Sequence, residues 1–245
     1  MRWAGRLVVV AVLLISLAGC GGGNKQTTTT ATTPRPATTT IRVYFLRDGK
    51  VQPVVRTVPS PTDFPIVALA ELTKGPTRSE RQDLGLSTST SSPYTFSLSD
   101  GVVKDHGTFT RPELAQIVYT ITRYSAKVAA VNGRRYTRAD FEDETPAILV
   151  ESPLPFQKVT SPLRATGTAN TFEATFQYDL VDPAGKLLKT HFVTATSGTG
   201  TRGTFDFTVP FTVDRGGMGK LVVYELSAKD GSRIHEVEIP VRLTP

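Results

Sequence analysis

One cysteine and three histidines in 245 residues leave little material for metal or redox chemistry. A lone cysteine cannot close an intrachain disulfide or build a cysteine-rich zinc or iron–sulfur centre. Three histidines are too few for a multi-histidine site with spare partners, so neither a metal nor a cofactor is expected. The folded part also lacks a basic excess. Residues 1–40 hold four Lys or Arg and no acid, residues 41–149 hold 14 basic and 12 acidic residues, and residues 150–245 hold ten of each. The net charge of +6 is therefore concentrated at the N-terminus. A nucleic-acid binder concentrates it on a folded face, so nucleic acid is not an expected partner. What remains is an ordinary globular composition, 39% hydrophobic and 20% charged, with room for one large domain or two small ones.

The N-terminus begins with Arg2 and Arg6, then an apolar run at residues 7–18 that contains one serine. That run has the length of a signal-peptide core and falls short of the ~20 apolar residues of a membrane span. It ends in Leu17-Ala18-Gly19-Cys20, which resembles the bacterial lipobox. The resemblance implies a lipoprotein signal peptide at residues 1–19 and Cys20 as the lipidated first mature residue. Acyl chains such as palmitate contribute ~0.8 kcal/mol for each buried CH₂, so two or three chains hold a protein stably on the outer face of the cell membrane. Residues 20–40 are Gly-, Thr- and Pro-rich and read as a tether, with a root-mean-square span of about 25 Å if flexible.

Residues 41–145 read as an α+β domain. Residues 41–46 (IRVYFL) and 51–58 form two strands around a turn at Asp48-Gly49. Asp63 caps a helix whose face is Ile66, Leu69, Ala70 and Leu72, and Gly75-Pro76 ends it. Thr77 and Glu80 form a capping box before a shorter helix closed by Gly85, and Thr110 and Glu113 form a second. The helix after Thr110 buries Leu114, Ile117, Val118, Ile121 and Tyr124. Strands are expected at residues 94–99, at Val102-Val103 and at residues 127–131, with the helices on one face of one sheet.

Val43-Tyr44-Phe45, residues 53–56 (PVVR), residues 68–72, Lys74-Gly75-Pro76-Thr77, Glu80, Gly85-Leu86 and residues 116–122 (QIVYTIT) together resemble the GerMN domain of bacterial envelope lipoproteins. The resemblance spans nearly all of this segment and implies a sporulation- or germination-related, non-catalytic role. It departs at residues 103–109, which are shorter than the family's stretch and imply an altered sheet edge.

Residues 150–245 have almost no helical periodicity. Strands are expected at residues 164–169, 172–181, 186–196, 203–213, 220–228 and 233–243, giving an antiparallel β-sandwich without a disulfide. Phe172, Ala174, Phe176 and Tyr178 alternate, as do Phe205, Phe207 and Val209. Ser152-Pro153, residues 159–163 (VTSPL), Gly167-Thr168-Ala169, Phe172-Glu173-Ala174 and Gly203-Thr204-Phe205 resemble the immunoglobulin-like domain of bacterial spore germination, a module found after GerMN domains.

No catalytic constellation emerges. Residues 85–89 (GLSTS) lack the second glycine of a nucleophile elbow. Residues 216–220 (GGMGK) read as a plain loop, since Leu221 stands where a phosphate loop has Ser or Thr. His106, His191 and His235 have no partner placed by spacing. Asp140, Glu142, Asp143 and Glu144 lie beside Arg134, Arg135 and Arg138. They lack calcium-loop spacing and read as a solvated linker that partly neutralises itself. The expectation is a two-domain binding or assembly module, anchored to the membrane by lipid and meeting envelope proteins or cell-wall components. The alternative is a peptidoglycan- or carbohydrate-binding lipoprotein acting alone, with exposed aromatics on a sandwich face. Self-association of the first domain into a ring or filament is a third arrangement that its fold permits.

Overall fold

A computed structural model describes residues 37–88, 97–99, 102–104, 109–125 and 129–245. The signal peptide, Cys20 and the tether to residue 36 lie outside the described residues, as do residues 94–96, Asp100-Gly101, His106 and residues 127–128. Among the described residues no helix is long and apolar enough to cross a membrane. They belong to one compact unit that contains two hydrophobic cores.

Strands β1 (Thr38–Arg47) and β2 (Lys50–Pro59) pair antiparallel without interruption from Thr38↔Pro59 to Arg47↔Lys50. The connection needs only Asp48 and Gly49, both at positive φ, the backbone twist that matches a two-residue hairpin. β1 starts three residues before the expected Ile41, so the last threonines of the tether segment are strand. Helix α1 (Phe64–Lys74) is capped by Asp63, whose carboxylate accepts from the Ile66 N–H at 3.1 Å. Its buried face is Ala68, Leu69 and Leu72, whereas Ile66 and Ala70 are exposed, a rotation of the expected stripe by about one residue. Helix α2 (Arg78–Leu84) begins with the expected capping box: the Glu80 N–H donates to Thr77 Oγ1, and the Thr77 N–H donates to the Glu80 carboxylate. Arg56 on β2 reaches the same carboxylate with two donors at 2.5 and 2.8 Å, so Glu80 can be buried.

Strands β3 (Ser97–Ser99) and β4 (Val102–Lys104), helix α3 (Arg111–Ile121), and strands β5 (Ala129–Val131) and β6 (Arg134–Tyr136) complete this part. Glu113 accepts from the Thr110 N–H and hydroxyl, and Ile117, Val118 and Ile121 are buried as expected. The single expected sheet is instead two. β3-β4-β5-β6 form one sheet, with β4 inside it and parallel to β5, and the β1–β2 hairpin stands apart. Side chains from the α3 region occupy the free edge of β1 where another strand would pair. The Tyr44 N–H donates to Thr120 Oγ1 at 3.2 Å, and the Arg42 N–H donates to the Tyr124 hydroxyl, which itself donates to the Arg42 carbonyl at 2.9 Å.

A 3₁₀ helix at Arg138–Glu144 leads into β7 (Ile148–Ser152), β8 (Lys158–Val159), β9 (Leu163–Ala169), β10 (Thr175–Val181), β11 (Leu187–Thr194), β12 (Gly203–Val209), β13 (Gly217–Leu226) and β14 (Arg233–Leu243). They form a sandwich of a five-stranded sheet, β11-β10-β13-β14-β8, and a three-stranded sheet, β12-β9-β7. Every pairing is antiparallel except β14 with β8. Aromatic rings fill the space a disulfide would bridge: Phe176 packs edge-on to Phe205 at 4.9 Å and Tyr178 stacks on Phe207 at 4.7 Å.

The sandwich departs from the sequence pattern in two places. Phe172 does not continue the alternation, because Glu173 and Ala174 adopt positive φ in a short 3₁₀ turn and leave the ring 55% exposed. Gly217 to Lys220 are not a loop but the start of β13. Gly219 lies so close to β10 that a Cβ would sit 2.4 Å from the Val181 carbonyl.

Candidate functional site

The two parts meet through β7, where strand alternation distributes one segment between two cores. Ile148 and Val150 belong to the sandwich core, while Leu149 between them belongs to the core of the α+β part. Glu151 follows at a bulge in the β7–β9 pairing and reaches the same side as Leu149. Its carboxylate accepts from the Tyr44 hydroxyl at 2.6 and 2.8 Å, from Arg138 Nη1 at 2.9 Å and from Arg42 Nη1. Arg138 also donates to Thr122 Oγ1 and the Tyr119 carbonyl, and lies over the Tyr119 and Tyr44 rings at 4.6 and 5.2 Å. Burial, then the Glu151 charge, push the Tyr44 phenol far above its ordinary value, so it remains a donor at any physiological pH.

A second lock uses the acidic segment. Three of its four carboxylates have separate structural tasks, Asp143 is exposed, and among the described residues no three His, Cys, Asp or Glu side chains group to hold a metal. Asp140 accepts from the Thr137 N–H and hydroxyl, which hold it below its usual range, the backbone bond first. Glu144 pairs with Arg111 at 3.0 Å. Glu142 crosses to the sandwich, accepting from Arg202 at 2.8 and 2.9 Å and from Asn170 at 2.8 Å. Asp140 and Asp143 are solvated as expected, but Glu142 and Glu144 make the segment a brace as well, because their arginine partners come from α3 and from the β11–β12 connection and not from the neighbouring Arg134, Arg135 and Arg138.

These locks leave open a cleft of about 790 Å³. One wall is Arg42, Thr122, Arg123 and Arg138, with Glu151 at its foot. The floor is the outer face of β9 and β12, where Thr168 pairs with Thr204 and Thr166 with Asp206, and Thr194 and Thr196 complete the rim. These threonines face outward because β9 and β12 alternate: Ala165, Ala169, Phe205 and Val209 take the inward positions. Asp206 pairs with Arg164, which holds its carboxyl below the usual range. Glycine is required at residue 167 of the floor, where a Cβ would lie 2.0 Å from the Leu149 carbonyl and 2.6 Å from the Phe205 ring.

Among the described residues, none of the histidines or acidic residues named as chemical candidates by the sequence lines this cleft. His191 is exposed on β11, and His235, expected to lack a partner, bonds through Nδ1 to Glu225 at 2.9 Å. Sequence reasoning missed the cleft because its residues are scattered arginines and outward threonines on elements that only tertiary packing brings together. The one available signal was the Thr/Asp alternation at 166, 168, 204 and 206.

Acid should loosen the second lock. Arg202 first, and Asn170, lower the Glu142 pKa in the folded chain. A carboxylate depressed on folding contributes stability that is present above its unfolded pKa of about 4.3 and is lost as pH falls through the folded value. The urea midpoint is expected to stay level from about pH 7 to 5.5 and to drop below about pH 4.5, with part of the drop missing in Arg202→Met. A midpoint at pH 3.5 equal to that at pH 7 would contradict this.

Residues 147–232 match the family described as the immunoglobulin-like domain of bacterial spore germination. The match begins at the first strand of the sandwich and stops before β14, which completes the five-stranded sheet. No curated protein matches the chain.

Proposed function

We propose that this chain is a lipid-anchored, non-catalytic binding module of a bacterial cell envelope, in which a GerMN-type α+β domain and the immunoglobulin-like domain hold a ligand cleft between them. The observation that carries this reading is the cleft itself, a recess lined by arginines and threonines, built jointly by both parts and fixed by Glu151 and Glu142. The family match at residues 147–232 supports a germination-related setting. A non-catalytic role is supported by the lining, where among the described residues there is no histidine, cysteine, lysine or serine and the two carboxylates are each held by arginine. The hydroxyl-rich floor favours a second reading, a carbohydrate-binding lipoprotein acting without a protein partner.

Anchoring is tested by fractionating cells that express the wild-type chain or Cys20→Ala. The wild type is expected in the membrane fraction and the variant to leave it almost completely, since the acyl chains supply the binding energy. A variant that stays with the membrane would overturn the lipid anchor.

A further inference from the structure

We propose that the cleft binds an anionic glycan, a chain of hydroxyl-bearing units that carries carboxylate or phosphate groups. The inference rests on the reading of the cleft as the binding site and names what it takes. Charge decides the sign. Among the described residues, Arg42, Arg123 and Arg138 line the wall against Glu151 alone, since the charge of Asp206 is met by Arg164. Arg123 is exposed and has no polar partner among the described residues, and Arg42 and Arg138 share the single carboxylate of Glu151. The wall therefore carries uncompensated positive charge, and guanidinium groups suit carboxylate and phosphate oxygens.

The floor decides the rest of the ligand. Thr166, Thr168, Thr204 and Asp206 form a two-by-two polar grid, with strands about 4.8 Å apart and like-facing residues about 6.7 Å apart. Such a grid offers donors and acceptors to a run of hydroxyls. The aromatic of the lining, Phe205, is only 4% exposed, so it provides no platform on which nucleic-acid bases could stack. The exposed aromatics of the sandwich, Phe172 and Phe192, do not line the cleft. Recognition by hydroxyls and charge without stacking implies a Kd of about 0.1–1 mM that weakens with salt.

The test titrates the full-length chain in detergent micelles with three oligomers: oligogalacturonate, oligo(glycerol phosphate) and neutral chitohexaose. Binding of at least one anionic oligomer and not of chitohexaose is expected, and the arm that binds distinguishes carboxylate from phosphate. Arg123→Ala should weaken it about tenfold and Thr166→Val about threefold, while Thr208→Val, outside the cleft, should not change it. Equal binding of the neutral oligomer, no binding of either anion, or an unchanged Kd in folded Arg123→Ala would overturn the proposal. Chitohexaose binding that Thr166→Val weakens would overturn the anionic ligand and keep the cleft as a binding site, whereas binding left unchanged by both folded variants would overturn the cleft reading itself.

Discussion

Replacing Glu151 with alanine is expected to lower the stability of the chain by about 3–5 kcal/mol, the cost of removing one partner from a buried ionic cluster. The wild-type carboxylate satisfies three donors at once, the Tyr44 hydroxyl and the guanidinium groups of Arg42 and Arg138. Tyr44 is fully buried, and the side chains of Arg42 and Glu151 are only 17% and 13% exposed. Alanine leaves two cations and a phenol facing one another with no protein acceptor, open to water only on the side of the cleft. At about 2–4 °C per kcal/mol for a chain of this size, the melting temperature should fall by about 6–20 °C. Glu151→Gln keeps the shape but places a donor among donors, so its loss should be smaller but still substantial. Combining Glu151→Ala with Arg42→Met should recover part of the loss, because one orphaned cation is removed. Urea unfolding of the three variants checks this, and a loss below about 1 kcal/mol in Glu151→Ala would mean the carboxylate does not hold the junction.

Gly167→Ala should be nearly as damaging, by about 3 kcal/mol or more, for a different reason. A Cβ at 2.0 Å from the Leu149 carbonyl meets backbone, which can retreat only by breaking the β7–β9 ladder. The Phe205 ring at 2.6 Å is itself packed against Phe176 and cannot turn away freely. The damage falls on the strand shared by both cores, so both should loosen together. Gly200→Ala is the control: it has a positive φ of 93° but nothing within 4 Å, and should cost about 1 kcal/mol from backbone strain alone. A Gly167→Ala chain as stable as the Gly200→Ala chain would refute the close approach of β9 to β7.

What the sequence revealed follows the range of the forces involved. Caps and turns were legible at Asp63, Thr77 with Glu80, Asp48-Gly49 and Gly85, because each involves residues within a few positions of one another. The buried stripe of α3 and the inward Phe176, Tyr178, Phe205 and Val209 were legible from period alone. The two short strands β7 and β8 were not foreseen, nor was the separation of the β1–β2 hairpin. The first depends on Leu149 serving a different core from its neighbours, and the second on Thr120 and Tyr124 bonding to an edge far away in sequence. The acidic run at 140–144 looked like a solvated cluster because its partners Arg111 and Arg202 lie 33 and 60 residues from the carboxylates they hold. The cleft was illegible for the same reason.

The central claim, a tethered module that engages an envelope component through this cleft, is tested most directly by photo-crosslinking from Thr194 in intact cells. Thr194 is exposed at the rim, while Leu187 sits on the same strand outside the cleft and is 50% exposed. A photoreactive residue at Thr194 should capture a glycan-bearing envelope component that the same residue at Leu187 does not, and Cys20→Ala should abolish the capture. Equal capture from both positions, or capture from Leu187 alone, would contradict the account.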